Sequence, residues 1–294
     1  MNYHTPVLGS EIVKILRIKP GKIYIDATLG NGGHSLKILK KGGIVYAIDQ
    51  DPDNISLSVK RIKKIKLKNF YPIHANFNQF EKLIKKHLKT PSDIRGVVFD
   101  LGLSINQQKS SNRGFSFNDE KSIDMRLDPN SQSLTAESII NTAPHEELTR
   151  IFALYSQERF AKPLSLKIIS QRQKSPIKTA RRLSNIIHSF YQQKNIRTRL
   201  DPSTKIFLSL RIAVNSELQN LKTVLPQTLS CLPSSCIVAI ISFHSGEDRI
   251  VKQFIKNNQK KLINLTPKPF RPKQAEKNKN PLARSAILRA FKIL

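Results

Sequence analysis

The chemistry open to this chain concentrates in Asp26-Ala27-Thr28-Leu29-Gly30-Asn31-Gly32-Gly33-His34-Ser35 and in a later acid, Asp49. Glycines at 30, 32 and 33 let the backbone pass close to a ligand, because no Cβ stands in the way. An acid about 20 residues beyond such a turn is placed to accept hydrogen bonds from ribose hydroxyls. The pair therefore reads as an adenosine site. Two phosphate-bearing versions fail, since Ser35 stands where the third glycine of a dinucleotide fingerprint would fall, and no Gly-Lys-Ser/Thr follows the glycines. Asp26, ahead of the loop, would repel a pyrophosphate. The acids Asp26, Asp49 and Asp51 instead suit a cationic adenosine without phosphate, and S-adenosylmethionine, with its sulfonium and ammonium, has that chemistry. The bland alternative is an ordinary tight turn; strand-like and helix-like runs on its two sides favour the cofactor.

Further groups follow. Phe99-Asp100-Leu101-Gly102-Leu103-Ser104 ends an apolar run, and Asp100 would face the reactive end of the cofactor, with Gln107 in the loop beyond. Arg113-Gly114-Phe115-Ser116-Phe117 and Asp124-Met125-Arg126-Leu127-Asp128 mix cations, aromatics and acids, and Ile241-Ser242-Phe243-His244-Ser245-Gly246-Glu247-Asp248-Arg249 closes a second apolar run. Arg113, Arg126 and Arg249 could contact phosphates, and Phe115 and Phe117 could stack on a base turned out of its helix. Each has a structural counterpart: the phenylalanines pin the loop to its own helices, Arg249 pairs with Asp248 or Glu247, and His244 is held by Ser242 or Ser245. No Cys/His/acid group has metal-ligand spacing. Cys231 and Cys236 sit before and in an apolar strand, as reduced thiols, which disfavours attack on a ring carbon by a cysteine.

The elements that must position these residues are legible as periodicities. Strands near 23–27, 44–48, 70–74 and 96–100 alternate with helices near 35–41, 53–66 and 77–88, which predicts a parallel, doubly wound sheet. From about Ile105 to Leu200 the apolar spacing is helical. A long helix near 203–230 follows, started by Asp201-Pro202-Ser203. Cys236–Ile241 reads as a buried central strand, Glu247–Asn258 as a helix, and Leu262–Leu265 and Ala286–Phe291 as a closing hairpin. The expected architecture is a mostly parallel seven-stranded sheet built from 1–104 and 201–294, with a helical insertion at 105–200.

A net charge of +29 over 294 residues points to a polyanionic partner. Lys60–Lys68 holds six cations on what reads as one helical face, and Lys252 to the end holds twelve with one acid, Glu276. Part of that charge reflects a chain rich in Lys, Ile and Asn throughout. A hydrophobic fraction of 39% supports a core. The longest apolar run is far below the ~18 residues of a membrane helix, and Met1-Asn2-Tyr3-His4-Thr5-Pro6 lacks signal-peptide character. The expected location is the cytoplasm.

Taken in order, the motifs resemble the bacterial small-subunit (16S) ribosomal RNA cytosine-N4 methyltransferase family. The likeness runs nearly end to end. It takes in His4-Thr5-Pro6-Val7-Leu8, the glycine turn, Ala47-Ile48-Asp49-Gln50-Asp51-Pro52, Asp100–Ser104, Arg113–Phe117 and Asp124-Met125-Arg126. It continues through Glu158-Arg159-Phe160-Ala161, Arg211–Leu218, Ser242–Ser245, Glu247-Asp248-Arg249 and Asn280–Ser285. Gly246, Ile105-Asn106 and Asp201 depart from the family pattern of leucine, Ser-Pro and histidine. The resemblance implies a class I, Rossmann-like fold and a cofactor, S-adenosylmethionine, held by Gly32, Gly33, His34, Asp49, Phe77, Asp100 and Gln107. It also implies methylation of a cytidine in the decoding region, on RNA probed as free or assembled subunit, with a homodimer left open. Asp100 is the candidate to orient the amine and relay its proton; cofactor binding alone is the competing role. Other classes fare worse: a non-catalytic RNA-binding factor predicts a damaged cofactor loop, and related DNA or RNA methyltransferases carry an Asn/Asp-Pro-Pro-Tyr loop after the fourth strand.

Overall fold

The computed structural model describes residues 5–109, 112–117 and 119–294. His4 and the three residues before it therefore lie outside the described residues. The chain divides into two compact units, Met1–Ser104 with Leu218–Leu294, and Ile105–Glu217.

The first unit opens with α1 (Gly9–Leu16), β1 (Ile23–Asp26), α2 (Gly33–Leu39), β2 (Ile44–Asp49), α3 (Pro52–Lys64), β3 (Phe70–His74), α4 (Phe80–His87) and β4 (Ile94–Asp100). The second unit holds α5 (Ile105–Lys109), α6 (Ala136–Thr142), α7 (His145–Ser156), α8 (Ala161–Lys174), α9 (Ala180–Gln193) and α10 (Ser203–Asn215). The chain then supplies α11 (Glu217–Cys231), β5 (Ile237–Ser242), α12 (Ser245–Asn257), β6 (Leu262–Asn264), α13 (Gln274–Lys279) and β7 (Ile287–Ile293).

The strands form one seven-stranded sheet in the order β3-β2-β1-β4-β5-β7-β6. Pairing is parallel from β3 through β5, and only β7 runs against its neighbours. Strands covered on both faces read as unbroken apolar runs, and every residue of β1 and of β5 is buried. One face packs Ile25, Ile48, Phe80, Leu83, Phe99, Leu221, Val251 and Phe291. The other packs Ile12, Tyr24, Ile38, Val45, Ile62, Ala239 and Leu288. The strand order reverses direction between β1 and β4, and ligands of open α/β sheets bind at the carboxyl end of such a switch point. Both Asp26 and Asp100 end strands there.

Local signals set the helix starts beside that edge. Asp51 caps α3 by accepting from the Asp53 backbone N–H at 3.0 Å, with Pro52 at the first helical position. The His244 ring caps α12 by accepting from the Glu247 backbone N–H, and the Glu247 carboxylate accepts in return from Phe243 N at 2.7 Å.

The second unit is helical around Phe152, Leu164, Ile168, Leu183, Ile187 and Leu210. Two expectations need correction. The insertion ends at 217 rather than 200, because Ile206, Phe207, Leu210 and Val214 of α10 are buried in the helical core. The long helix at 203–230 is two helices, broken at Ser216, whose φ of 50° is left-handed and ends α10. Apolar periodicity continues through the break and conceals it. A third difference concerns α1, which the sequence reading leaves unmarked. Among the described residues, no helix is long and apolar enough to cross a membrane.

Candidate functional site

The glycine turn joins β1 to α2. Leu29 N donates to Ile48 O at 2.9 Å, and the chain then enters left-handed backbone at Gly30 (φ 49°) and Gly32 (φ 72°), where a side chain would be strained. A row of polar residues on the buried side of α3 holds the turn from beneath. Ser58 Oγ donates to Gly30 O at 2.8 Å, Arg61 Nη1 donates to Asn31 O at 2.7 Å, and Asn54 Oδ1 accepts from Ser104 Oγ at 2.8 Å. Arg61 is buried, so it does not belong to a solvated Lys60–Lys68 face, and α3 stops at Lys64.

Asp49 latches the same turn. Its Oδ2 accepts from Gly30 N at 2.7 Å and Asn54 Nδ2 at 3.3 Å, and its Oδ1 accepts from Asp51 N at 2.8 Å. Desolvation pushes its carboxyl up to about 7 despite those donors. Asp51 is fully buried as the cap of α3, and so is no part of an open acidic rim.

Asp26 is buried completely. Its Oδ2 accepts from Ser35 N at 3.1 Å and Ser35 Oγ at 2.7 Å, which ties β1 to the first turn of α2, while Oδ1 has no partner. Burial raises this carboxyl to about 6, against the pull of His34. His34 lies 4% exposed, with Nε2 3.2 Å from Asp100 Oδ2. Burial disfavours the imidazolium, but the Asp100 carboxylate outweighs it and raises His34 overall. His34 thus reaches from the first turn of α2 to the end of β4 as the partner of Asp100. Its Nδ1, Asp100 Oδ1 and Asn31 Oδ1 are also buried without a partner.

Phe77 stands half-buried just after β3, edge-on to Phe99 with centroids 5.8 Å apart, so one side of its ring belongs to the sheet's core. Asn76 Nδ2 donates to Gln50 Oε1 at 2.6 Å beside it. Gln107, read from the sequence as a loop residue, falls in α5 of the second unit, where it is 5% exposed.

The arginine-bearing loop of the second unit is organised by its own charges. Arg113 is buried and donates through Nη1 to the carbonyls of Arg126 and Leu127, both at 3.0 Å. Arg126 grips Asp124 through Nε at 2.8 Å and Nη2 at 2.7 Å, and donates to Pro129 O and Gln132 O. That contact lowers the Asp124 carboxyl although burial opposes it. Gly114 has φ 74°, and a Cβ there would lie 2.8 Å from Ile123 Cα and from Ser122 O, so glycine is required. Phe117 meets Phe207 edge-on at 4.9 Å, and Phe115 is half-buried with the Arg113 guanidinium 6.0 Å from its centroid. Asn215, which carried no role in the sequence, donates to Met125 O at 2.8 Å and accepts from Leu127 N at 2.9 Å. The loop's cations and aromatics therefore build the loop first.

Arg249 differs. It is exposed on the first turn of α12, while Asp248 is taken by Arg289 at 2.6 Å and Glu247 by the His244 cap. Neither pairing expected for Arg249 forms, and His244 is held by Glu247, not by Ser242 or Ser245. At Gly246 a Cβ would lie 3.1 Å from His244 Nδ1, a tight fit against that cap. The residues missed by sequence reasoning, Asn54 and Ser58 above all, had a signal: with Arg61 they recur at helical spacing on a face that should be apolar.

A family model described as the MraW methylase family matches residues 1–294. The Ribosomal RNA small subunit methyltransferase H of Coxiella burnetii (strain RSA 493 / Nine Mile phase I) is 37% identical, covering 98% of this chain and 98% of its own. The protein of the same name from Halothermothrix orenii is 39% identical, covering 97% of each chain. Among solved structures, an rRNA methylase from Streptococcus thermophilus aligns with a TM-score of 0.46 and 11% identity over 97% of this chain and 93% of that one.

Proposed function

This chain belongs to the MraW methylase family, and from that membership we propose that it methylates the exocyclic N4 of a cytidine in small-subunit ribosomal RNA. S-adenosylmethionine is the methyl donor. The observation that carries the cofactor assignment is a pair of buried acceptors without partners, Asp26 Oδ1 and Asn31 Oδ1, at the switch point of the sheet. Unpaired acceptors in a buried site are costly, and a cationic ligand bearing N–H donors satisfies them. The residues present fit that ligand. On the sheet unit, Gly32, Gly33, His34, Asp49, Phe77 and Asp100 hold it, with Asp49 for the ribose and Phe77 beside the adenine.

When bound, S-adenosylmethionine supplies an electrophilic methyl group on a sulfonium. N4 of cytosine is a weak nucleophile because its lone pair is delocalised into the ring, so alignment does most of the work. Asp100 is suited to that: Oδ2 is fixed by His34, and Oδ1 is left to accept from the amine. As the N4 proton becomes acidic, a positioned carboxylate takes it.

The helical unit serves RNA recognition, with exposed Lys194, Arg197 and Arg199 between α9 and α10 available to phosphates. Phe115 and Phe117 are the aromatics nearest to those roles in the loop. Arg249 is the sheet unit's phosphate contact, whereas Arg113 and Arg126 act by holding their loop. The target lies in the decoding region of the assembled small subunit, which puts the enzyme in the cytoplasm.

Methyl transfer from labelled S-adenosylmethionine to unmodified small subunits, read by nucleoside mass spectrometry, tests the proposal. N4-methylcytidine made by the wild type and lost in Asp49→Ala supports it. Cofactor binding without incorporation into subunits or free RNA points to another substrate, and no cofactor binding leaves an RNA-binding scaffold.

A further inference from the structure

β3 is the outermost strand of the sheet, and its aromatic residue is placed unusually for an edge. Tyr71 lies directly opposite Tyr46 of β2, and the two rings stack with centroids 4.8 Å apart and planes 22° from parallel. Tyr46 is packed against the core beneath, so it fixes the inner ring, while Tyr71 remains 46% exposed. The pair is an aromatic step at an edge of the sheet, with Tyr71 the second residue of β3 and Tyr46 the third of β2.

The surroundings are cationic. On the sheet face that holds Tyr46, α4 carries exposed Lys82, Lys85 and Lys86 and one acid, Glu81, which is spent on Lys85 at 2.7 Å. α4 packs on the same sheet face as Tyr46, through Phe80, Leu83 and Ile84. The Glu81 flank of α4 abuts α11, where Gln227 Oε1 accepts from Glu81 N and Ser230 Oγ donates to the Glu81 carboxylate. Lys82 and Lys86, one turn apart, are exposed on α4, away from its Phe80, Leu83 and Ile84 face.

Another chain adding as a strand is disfavoured here. Asn69 O accepts from Val45 N and Ala75 N donates to Asp49 O, so odd-numbered residues of β3 pair inward and Phe70, Pro72 and His74 point outward. Pro72, at the centre of that outward row, has no N–H to give. An aromatic face with lysines on the helix of the same sheet face suits instead a nucleobase with its phosphates.

We infer that the Tyr46–Tyr71 step, with Lys82 and Lys86 of the helix on the same sheet face, docks a single-stranded segment of RNA, one base stacking on Tyr71. This rests on the RNA-substrate reading above and adds a second contact surface, distinct from the glycine turn. A duplex offers no free base face, so unpaired RNA is the occupant.

Binding of a fluorescent oligouridylate, beside methyl-transfer kinetics on small subunits, tests it. Tyr71→Ala should weaken oligouridylate binding roughly tenfold and raise KM for subunits, with kcat and S-adenosylmethionine affinity unchanged. Tyr71→Phe, which keeps the ring, should restore both. Joint replacement Lys82→Glu and Lys86→Glu should flatten the salt dependence by about two phosphate contacts. Unchanged oligouridylate binding in Tyr71→Ala overturns the proposal, and if subunit binding alone falls, the occupant is a ribosomal protein. A wild type that binds oligouridylate through Tyr71 yet methylates no subunit defeats the activity reading and leaves this surface standing.

Discussion

The glycine turn of the sheet unit and the arginine loop of the helical unit carry similar residues and treat them in opposite ways. Around the turn, Asp26, Asn31, His34 and Asp100 each keep a buried polar atom without a partner. Around the loop, Asp124, Arg126, Arg113 and Asn215 satisfy one another and the backbone between them. Among the described residues, every buried side-chain atom left without a partner lies in the sheet unit. Folding on its own completes the loop, whereas the turn holds unmet hydrogen-bonding capacity that a ligand completes. The difference separates a site built to bind from a scaffold built to present.

The largest expected effect breaks or confirms the chemical side of that contrast. Asp100→Asn keeps the size of the side chain and its contact with His34 but loses the basic oxygen. Single-turnover methyl transfer should slow about a hundredfold or more, while S-adenosylmethionine binding weakens far less. Equal losses in both would reduce Asp100 to cofactor binding.

Next in size is a pH effect of Asp26 and Asp49, raised from 3.8 to about 6 and about 7 by desolvation. In the folded, ligand-free protein these carboxyls hold protons more tightly than in the unfolded chain. Their contribution to stability is therefore full below 3.8 and is lost as pH rises through about 6 to 7. A cationic ligand reverses the preference, because it favours the ionised acids. Affinity for S-adenosylmethionine should rise over the same interval, and the Tm shift it produces should grow with it. Thermal melts with and without ligand across that range decide the matter, and Asp26→Asn should flatten the lower part of the curve. A ligand-induced shift independent of pH would mean that the turn's acids do not face the cation.

How much of this was legible beforehand follows from sequence distance. The strands, the glycine turn and the position of Asp49 are local patterns, and the apolar periodicity places them within a residue or two. The His34–Asp100 pair joins residues 66 apart, and Asn215 reaches Met125 across 90, so no local pattern announces either. The arginines mislead for a related reason. A cation in a glycine-bearing loop looks available until its carbonyl and carboxylate partners are known, and the partners of Arg113 come from beyond the next helical turn's worth of chain. The helix break at Ser216 is hidden because one residue of left-handed backbone leaves the apolar rhythm on both sides intact.

The smallest effects sharpen the contrast most, because they must fall on different observables. Arg126→Ala strands the Asp124 carboxylate and two carbonyls, and should cost about 2 kcal/mol in urea unfolding, with affinity for S-adenosylmethionine unchanged. Arg249→Ala removes an exposed cation whose acidic neighbours already have partners. Its stability should stay within about 0.5 kcal/mol of wild type, and the salt slope of RNA binding should drop by about one phosphate contact. Stability and RNA affinity thus separate between two arginines that the sequence presents as alike. If Arg126→Ala instead leaves stability intact and weakens RNA binding, its hydrogen bonds within the loop are incidental and the loop is an RNA contact after all. If Arg249→Ala unfolds the protein, the cation supports the start of α12 rather than a phosphate. Either result would move the boundary between binding and presenting surfaces to a different pair of residues.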